Sequence, residues 1–262
     1  MQFNRIQAVV RPRNPWESID LGFSMVRHWW KPLYKVWFAT VLPLFLLIYL
    51  PVFGIYTSFY DSSVGAALLI WWLKPGLDRI LLHFLSHALF GEQPGIWQTF
   101  KTLPRFLFKT RLWLALTIWR FDFARSFNLP IWQLEDLRGK VASQRMSLLQ
   151  KNTRNQAVWL TIVCLHFEGI LTLTFLGFVS LMIPAHYELN FFEVFFYETA
   201  WWTEMLQIIA SFIALSIIEP LYVAAGFALY LNRRIHLEGW DIELAFRRIA
   251  LQIKNEEEKN SD

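Results

Sequence analysis

Apolar residues in this chain run in long unbroken stretches, and four of them reach the roughly 20 residues that a helix needs to cross the hydrocarbon of a bilayer. They cover residues 34–56, 64–83, 157–183 and 205–231. A fifth run, Leu112 to Trp119, holds eight residues between Arg111 and Arg120 and is too short to cross. Residues 103–127 are therefore expected to lie on the surface or to dip shallowly into the membrane without spanning it. The pattern predicts an all-α integral membrane protein with about four transmembrane helices.

Between the spans the pattern changes to helical amphipathicity. In "NPWESIDLGFSMVRHWW", Asn14 stands as an N-cap, Pro15 at the first helical position and Glu17 three residues after the cap, the arrangement of a capping box. Trp16, Ile19, Phe23, Val26 and Trp30 then recur on one face, so the segment predicts a helix lying in the interface plane. Residues 91–156 interleave aromatic side chains with Lys101, Arg105, Lys109, Arg111, Arg120 and Arg125 and are expected to form a cytoplasmic interfacial region. A helix after Asn128 is expected to carry Ile131, Leu134, Leu137 and Val141 on one face. Residues 186–202 are acidic and aromatic and predict a segment resting on the outer interface. A short amphipathic helix is expected from about Asp241, and residues 256–262, "EEEKNSD", form a solvated tail too polar to fold. Residues 1–255 thus read as a single membrane domain, and the first residues, lacking the pattern of a cleaved signal peptide, as mature protein.

Charge placement orients the spans. Basic residues collect in cytoplasmic segments near membrane helices. With the N-terminus inside, the outer segments 57–63 and 184–204 hold no Lys or Arg but do hold Asp61, Glu188, Glu193, Glu198 and Glu204. Of the 25 basic residues, all but Lys74 and Arg79 fall within or at the edge of the inner segments. Both termini are therefore expected in the cytoplasm, and the basic helices against anionic lipid headgroups. Nucleic-acid binding, which uses similar basic and aromatic interleaving, is the weaker reading. Composition agrees: of 262 residues 55% are apolar, 18% aromatic and only 18% charged, against about 25% charged in soluble domains. The single cysteine, Cys164, excludes an intrachain disulfide.

Within this frame "WWLKPGLDRILLHFLSH", residues 71–87, stands out for its ionisable groups. At 1.5 Å of rise per residue, Lys74 lies about 15 Å into the second span, and Asp78 and Arg79 about 21 to 23 Å. Glu168 falls near the midplane on the third span and Glu219 about 21 Å from the outer edge on the fourth. A charge at such depth finds a partner or water. Lys74, Asp78, Arg79, Glu168 and Glu219 are therefore expected to form a buried polar cluster. Lys74 and Asp78 are spaced to pair within their helix, and Arg79 or Lys74 is placed to meet the two glutamates. Such a cluster either binds an ion, proton or headgroup, or joins the helices. Pro75, Gly76 and Pro220 are expected to interrupt backbone bonding nearby. His83 and His87 have a four-residue spacing but no clear third ligand, so no metal is expected. The small residues Ala224, Ala225, Gly226 and Ala228 predict close helix approach.

No glycine-rich phosphate loop, nucleophile elbow or paired cysteines appear, and neither catalysis nor a cofactor is expected. Three segments, "PWESIDLGF", "FNLPIWQLEDLRG" and "IEPLYVAAGFALYLNRRIHLEGWDIELAFRRIA", resemble uncharacterised multipass inner-membrane proteins of Gram-negative bacteria, of the kind encoded beside MoxR-type AAA ATPases, von Willebrand factor A-domain proteins and transglutaminase-like membrane proteins. The general pattern is also similar to the membrane domain attached to some glycerophosphodiester phosphodiesterases, although no hydrolase domain accompanies it here. The resemblance implies a non-enzymatic scaffold or anchor in the inner membrane, presenting its inner surface to an AAA ATPase or other envelope membrane proteins. It assigns no functional residue. A small transporter, or an ion- or headgroup-binding protein using the charged cluster, is the alternative, and a lipid-handling enzyme acting through Asp78, Glu168 or Glu219 a third.

Overall fold

The computed structural model describes residues 11–55, 59–109, 116–117, 122–182 and 201–239, and for residues 52–55, 59–64 and 103–109 the backbone alone. Among them the chain forms eight α-helices and no strand. These are α1 (Pro15–His28), α2 (Trp30–Ile55), α3 (Phe59–Leu89), α4 (Ile96–Lys109), α5 (Arg125–Gln133), α6 (Gly139–Gln150), α7 (Arg154–Leu181) and α8 (Trp201–Glu238). The expected segments at 112–119, 186–202 and beyond Asp241 lie wholly or mostly outside the described residues.

Three helices are long and apolar enough to cross a membrane: Trp30–Pro51, Arg154–Leu181 and Trp201–Glu238. The fourth expected span lies inside α3. That helix has 31 residues, about 46 Å of length, but Lys74, Asp78 and Arg79 interrupt its apolar run. The chain is therefore an all-α membrane protein with, among the described residues, three helices of spanning composition and one of spanning length. The prolines do not break their helices: α3 runs through Pro75 and α8 through Pro220.

Helix α8 is the centre of the bundle, in contact with α1, α3, α5, α6 and α7. Its small residues set the distance. A Cβ added to Gly22 of α1 would lie 2.5 Å from the Ala225 Cα, and one added to Gly226 would collide with the Ser126 side chain of α5. The backbones of α1 and α5 thus rest directly on one stretch of α8, where Ala224, Ala225 and Ala228 are fully buried.

Helix α1 departs from its expected role. Asn14 caps it by accepting from the Trp16 N–H at 3.2 Å, but Glu17 pairs with Arg11 and Arg13 rather than closing a capping box. Ser18, Ile19, Gly22, Met25 and Val26 are buried. Trp16, Phe23 and Trp30 stay exposed. The expected single apolar face is therefore divided: Ile19 and Val26 belong to the core, while the aromatic row beside them faces outward.

The expected helix after Asn128 is two helices joined by a turn, with Asp136 at φ 48° and Gly139 at φ 59°. The first of them is no surface element. In α5, Ser126 to Ile131 are all buried against α8, α3 and α7. In α6 the buried residues are Ala142 and Leu149, while Val141 is exposed. Leu134, in the turn, is also exposed. The 91–156 region thus sends one helix into the bundle and keeps others outside it.

A buried ion-pair cluster joining four helices

The site is built from one or two residues on each of four helices. Lys74 of α3 reaches both glutamates: its Nζ donates to Glu168 Oε2 of α7 at 2.6 Å and stands 3.1 Å from Glu219 Oε2 of α8. One turn further along α3, Asp78 Oδ2 meets Arg125 Nε of α5 at 2.9 Å. Arg125 Nη2 closes the set 3.7 Å from Glu219 Oε1. Asp78 and Glu219 are almost wholly buried, whereas 23% of the Glu168 side chain is accessible. The cluster thus has an inner end at Asp78 and Glu219 and an outer edge at Glu168.

Four of the five residues expected from matched depth meet here: Lys74, Asp78, Glu168 and Glu219. The pairings match expectation at Lys74, which was placed to meet the glutamates, and differ at Asp78, expected to pair with Lys74. Lys74 pairs across the bundle with both glutamates, and Asp78 takes Arg125. Arg79, one residue on and turned to another side of α3, is 2% exposed. It donates from Nη1 to the Pro75 carbonyl at 2.9 Å, and its own carbonyl accepts from Gln133 Nε2 at 2.9 Å. Through these two bonds Arg79 fastens α3 to α5 beside the cluster.

Arg125 is the member that the sequence reading placed elsewhere, on the basic surface. One signal pointed to it. The expected set held two cations against three carboxylates, an imbalance that is costly to bury. Adding Arg125, with Arg79 counted beside the cluster, gives three of each sign. The local sequence explains how it reaches so deep. Asp122 Oδ1 accepts from the Ala124 N–H at 3.0 Å and Asp122 Oδ2 from Asn128 Nδ2 at 2.6 Å, turning the chain into α5. Tyr222 Oη accepts from the Ser126 N–H at 3.3 Å. Thr161, which donates to Phe123 O and contacts Tyr222 Oη at 3.1 Å, ties the same turn to α7. The Arg125 guanidinium lies 5.6 Å from the Tyr222 ring centre.

Beside the cluster is a cleft of about 50 Å³ lined by Lys74, Arg125, Thr161, Cys164, Leu165, Glu168, Ile218, Glu219 and Tyr222. It has room for roughly one or two waters.

His83 and His87 meet edge to face with ring centres 4.2 Å apart, and His87 Nδ1 donates to the His83 carbonyl at 2.9 Å. Among the described residues, no group of three or more His, Cys, Asp or Glu is placed to hold a metal ion.

A second network closes the end of α8. Arg145 of α6 forks onto Glu135 through Nε and Nη2, both at 2.9 Å, and also pairs with Glu238. Tyr230 donates to Glu135 Oε1 at 2.7 Å, and Arg234 grips Glu238 at 2.6 Å. Its hydrogen bonds to Glu135 hold the Arg145 guanidinium above its ordinary pKa. Asn232 pins the chain before α1: its side chain accepts from the Arg13 N–H and donates to the Arg13 carbonyl, both at 2.9 Å.

Together these features define an all-α membrane protein whose long helices are joined through buried ion pairs. No family model, curated protein or solved structure matches the chain.

Proposed function

We propose that this protein is a non-enzymatic scaffold or anchor subunit of an envelope-associated complex in the bacterial inner membrane. The observation carrying the proposal is that the cluster's charged groups face one another across four helices, beside a cleft with room for a water or two and no metabolite. Chemistry of that kind holds a bundle in one arrangement. In this reading α3 is a fourth span, so both termini are cytoplasmic. The basic, aromatic inner surface contacts anionic lipid headgroups and a partner, an AAA ATPase or another envelope membrane protein, as the family resemblance implies.

The decisive experiment is affinity purification of the tagged protein from its native membrane in mild detergent, with mass spectrometry of what accompanies it. Reproducible partners that disappear when the exposed faces of α4 and α6 are altered support the scaffold. A partner-free protein counts against it. The topology has its own check: a reporter fused at residue 195 is expected to read periplasmic and one at residue 140 cytoplasmic, and a periplasmic signal at 140 would defeat the four-span arrangement.

A second reading is supported by the accessible edge of Glu168, which lies at the cleft: a small transporter or a protein binding an ion or lipid headgroup at the cluster. It predicts that Glu168→Gln alters ion or proton flux in reconstituted vesicles while partner recovery stays unchanged.

A further inference from the structure

Helix α1 buries Ser18 and Gly22 alongside Ile19, Met25 and Val26, yet leaves its largest side chain outside: Trp16 is 55% exposed, and Trp30 at the start of α2 is 54% exposed. Helix α4 repeats the arrangement: Thr99 is 1% exposed and faces the protein, and Trp97 is 71% exposed with Lys101 Nζ 5.8 Å from its ring centre. Large aromatic residues stay outside in this way where something other than water covers them.

A row of cations runs beside the α1 aromatics. Arg27, Lys31 and Lys35 follow one another at four-residue spacing through the bend at Trp29, and all three are exposed. Four residues is the spacing of neighbours on one helical face. The backbone hydrogen bonds from Trp29 N to Met25 O and from Leu33 N to Trp29 O, both 3.0 Å, keep that face nearly continuous from α1 into α2. Lys31 Nζ stands 5.6 Å from the Trp30 ring centre. The exposed groups bordering the row are Asp20, Ser24 and His28. Glu17, the other acid of α1, is already engaged by Arg11 and Arg13.

The level of this row decides its ligand. Lys31 and Lys35 occupy the first two turns of α2, and the same helix then exposes Leu42, Leu46, Leu47 and Leu50. A ligand for the row must therefore present anionic charge where hydrocarbon begins. We propose that Arg27, Lys31 and Lys35, with Trp16, Phe23 and Trp30 beside them, form a binding site for the phosphate groups of anionic phospholipid. The indoles sit at headgroup level and the lysine stems reach past them to phosphate. The site deepens the lipid contact proposed above and is separable from the protein partner.

The test uses the full-length protein in nanodiscs of phosphatidylcholine with a minor fraction of phosphatidylglycerol, reading retained lipids by native mass spectrometry. The wild-type chain is expected to retain phosphatidylglycerol above its share of the mixture. The preference should fall about fivefold for each charge removed in Arg27→Gln, Lys31→Gln and Lys35→Gln, and millimolar inorganic phosphate should not compete. The matched variant Lys140→Gln/Lys151→Gln/Arg154→Gln, which removes the same charge elsewhere on the inner surface, should lose clearly less of it. No preference in the wild type, an undiminished preference in the triple variant, equal losses in both triples, or competition by free phosphate would each overturn the site. If the first triple does not assemble, the single Lys31→Gln is read by the same criteria. Partner recovery unchanged in the first triple, with lipid preference lost, separates this site from the scaffold proposal.

Discussion

Helices α7 and α8 have nearly the same mean hydropathy, and both are long enough to cross a membrane, yet 6% of the apolar window of α7 is buried inside the protein and 61% of that of α8. Hydropathy records transfer into lipid and is blind to what then surrounds the helix. Side-chain size separates the two. Helix α8 carries Ala224, Ala225, Gly226 and Ala228, over which α1 and α5 close to backbone contact. Helix α7 carries Trp159, Leu165, Phe167, Ile170 and Phe178, all more than half exposed. In a bilayer, where apolar side chains gain little by leaving lipid, close backbone approach and polar pairing choose the central helix.

The charged cluster gives the largest expected effects, because it is where α7 and α8 depend on the same cation. Lys74→Met would leave Glu219 without its nearest positive charge, and Glu219→Gln would strip Lys74 of one of its two carboxylates. Removing one member of a buried pair costs about 3–5 kcal/mol, to be read as a fall in stability on unfolding in detergent micelles. The double variant Lys74→Met/Glu219→Gln should recover at least about 1 kcal/mol of the summed losses. Strictly additive losses would show that the two side chains do not stabilise one another.

Next come the glycines at the close contacts of α8 with α1 and α5. Gly22→Leu must displace the Ala225 backbone, and Gly226→Leu must displace Ser126. Each is expected to cost about 3 kcal/mol and to lower the yield of monodisperse protein. Smaller again is Arg145→Gln, which removes the fork on Glu135 that ties α6 to the bundle. The pair is partly exposed, and a loss of about 1 kcal/mol is expected, visible as faster proteolysis between residues 134 and 154 with the rest of the chain intact.

What the sequence made legible follows from the same physics. Length and hydropathy are local properties, so the long helices could be located from composition alone. Matched depth is nearly local as well, since rise per residue converts position into height, and Lys74, Asp78, Glu168 and Glu219 meet as that arithmetic required. Rotation about the helix axis is different. Asp78 and Arg79 have nearly the same depth but point about 100° apart, so Asp78 turns to Arg125 while Arg79 turns to the Pro75 carbonyl. Arg125 was hidden for another reason: its segment resembles its basic and aromatic neighbours, and what draws α5 inward is a set of contacts with Tyr222 and Thr161, distant in sequence. The aromatic row of α1 was visible as a face. That Ser18 and Gly22 would form the opposing, buried side depended on Ala225 lying there to meet them.

The smallest expected effect gives the sharpest test of the comparison. Gly169 and Gly177 of α7 have open space where a Cβ would be added, unlike Gly22 and Gly226. Nearby on α7, exposed His166 donates from Nδ1 to the Ile162 carbonyl at 2.7 Å, so its own helix satisfies one polar atom of the ring. If lipid covers this side of α7, Gly169→Leu should change stability by no more than about 0.5 kcal/mol and leave co-purifying proteins unaltered. If another membrane helix docks there, the same leucine would separate two backbones, and the variant would lose that partner while its own fold persisted. Equal stability with partner loss would thus place a docking surface on α7, whereas lost stability without a partner would mean that α7 is covered by its own chain.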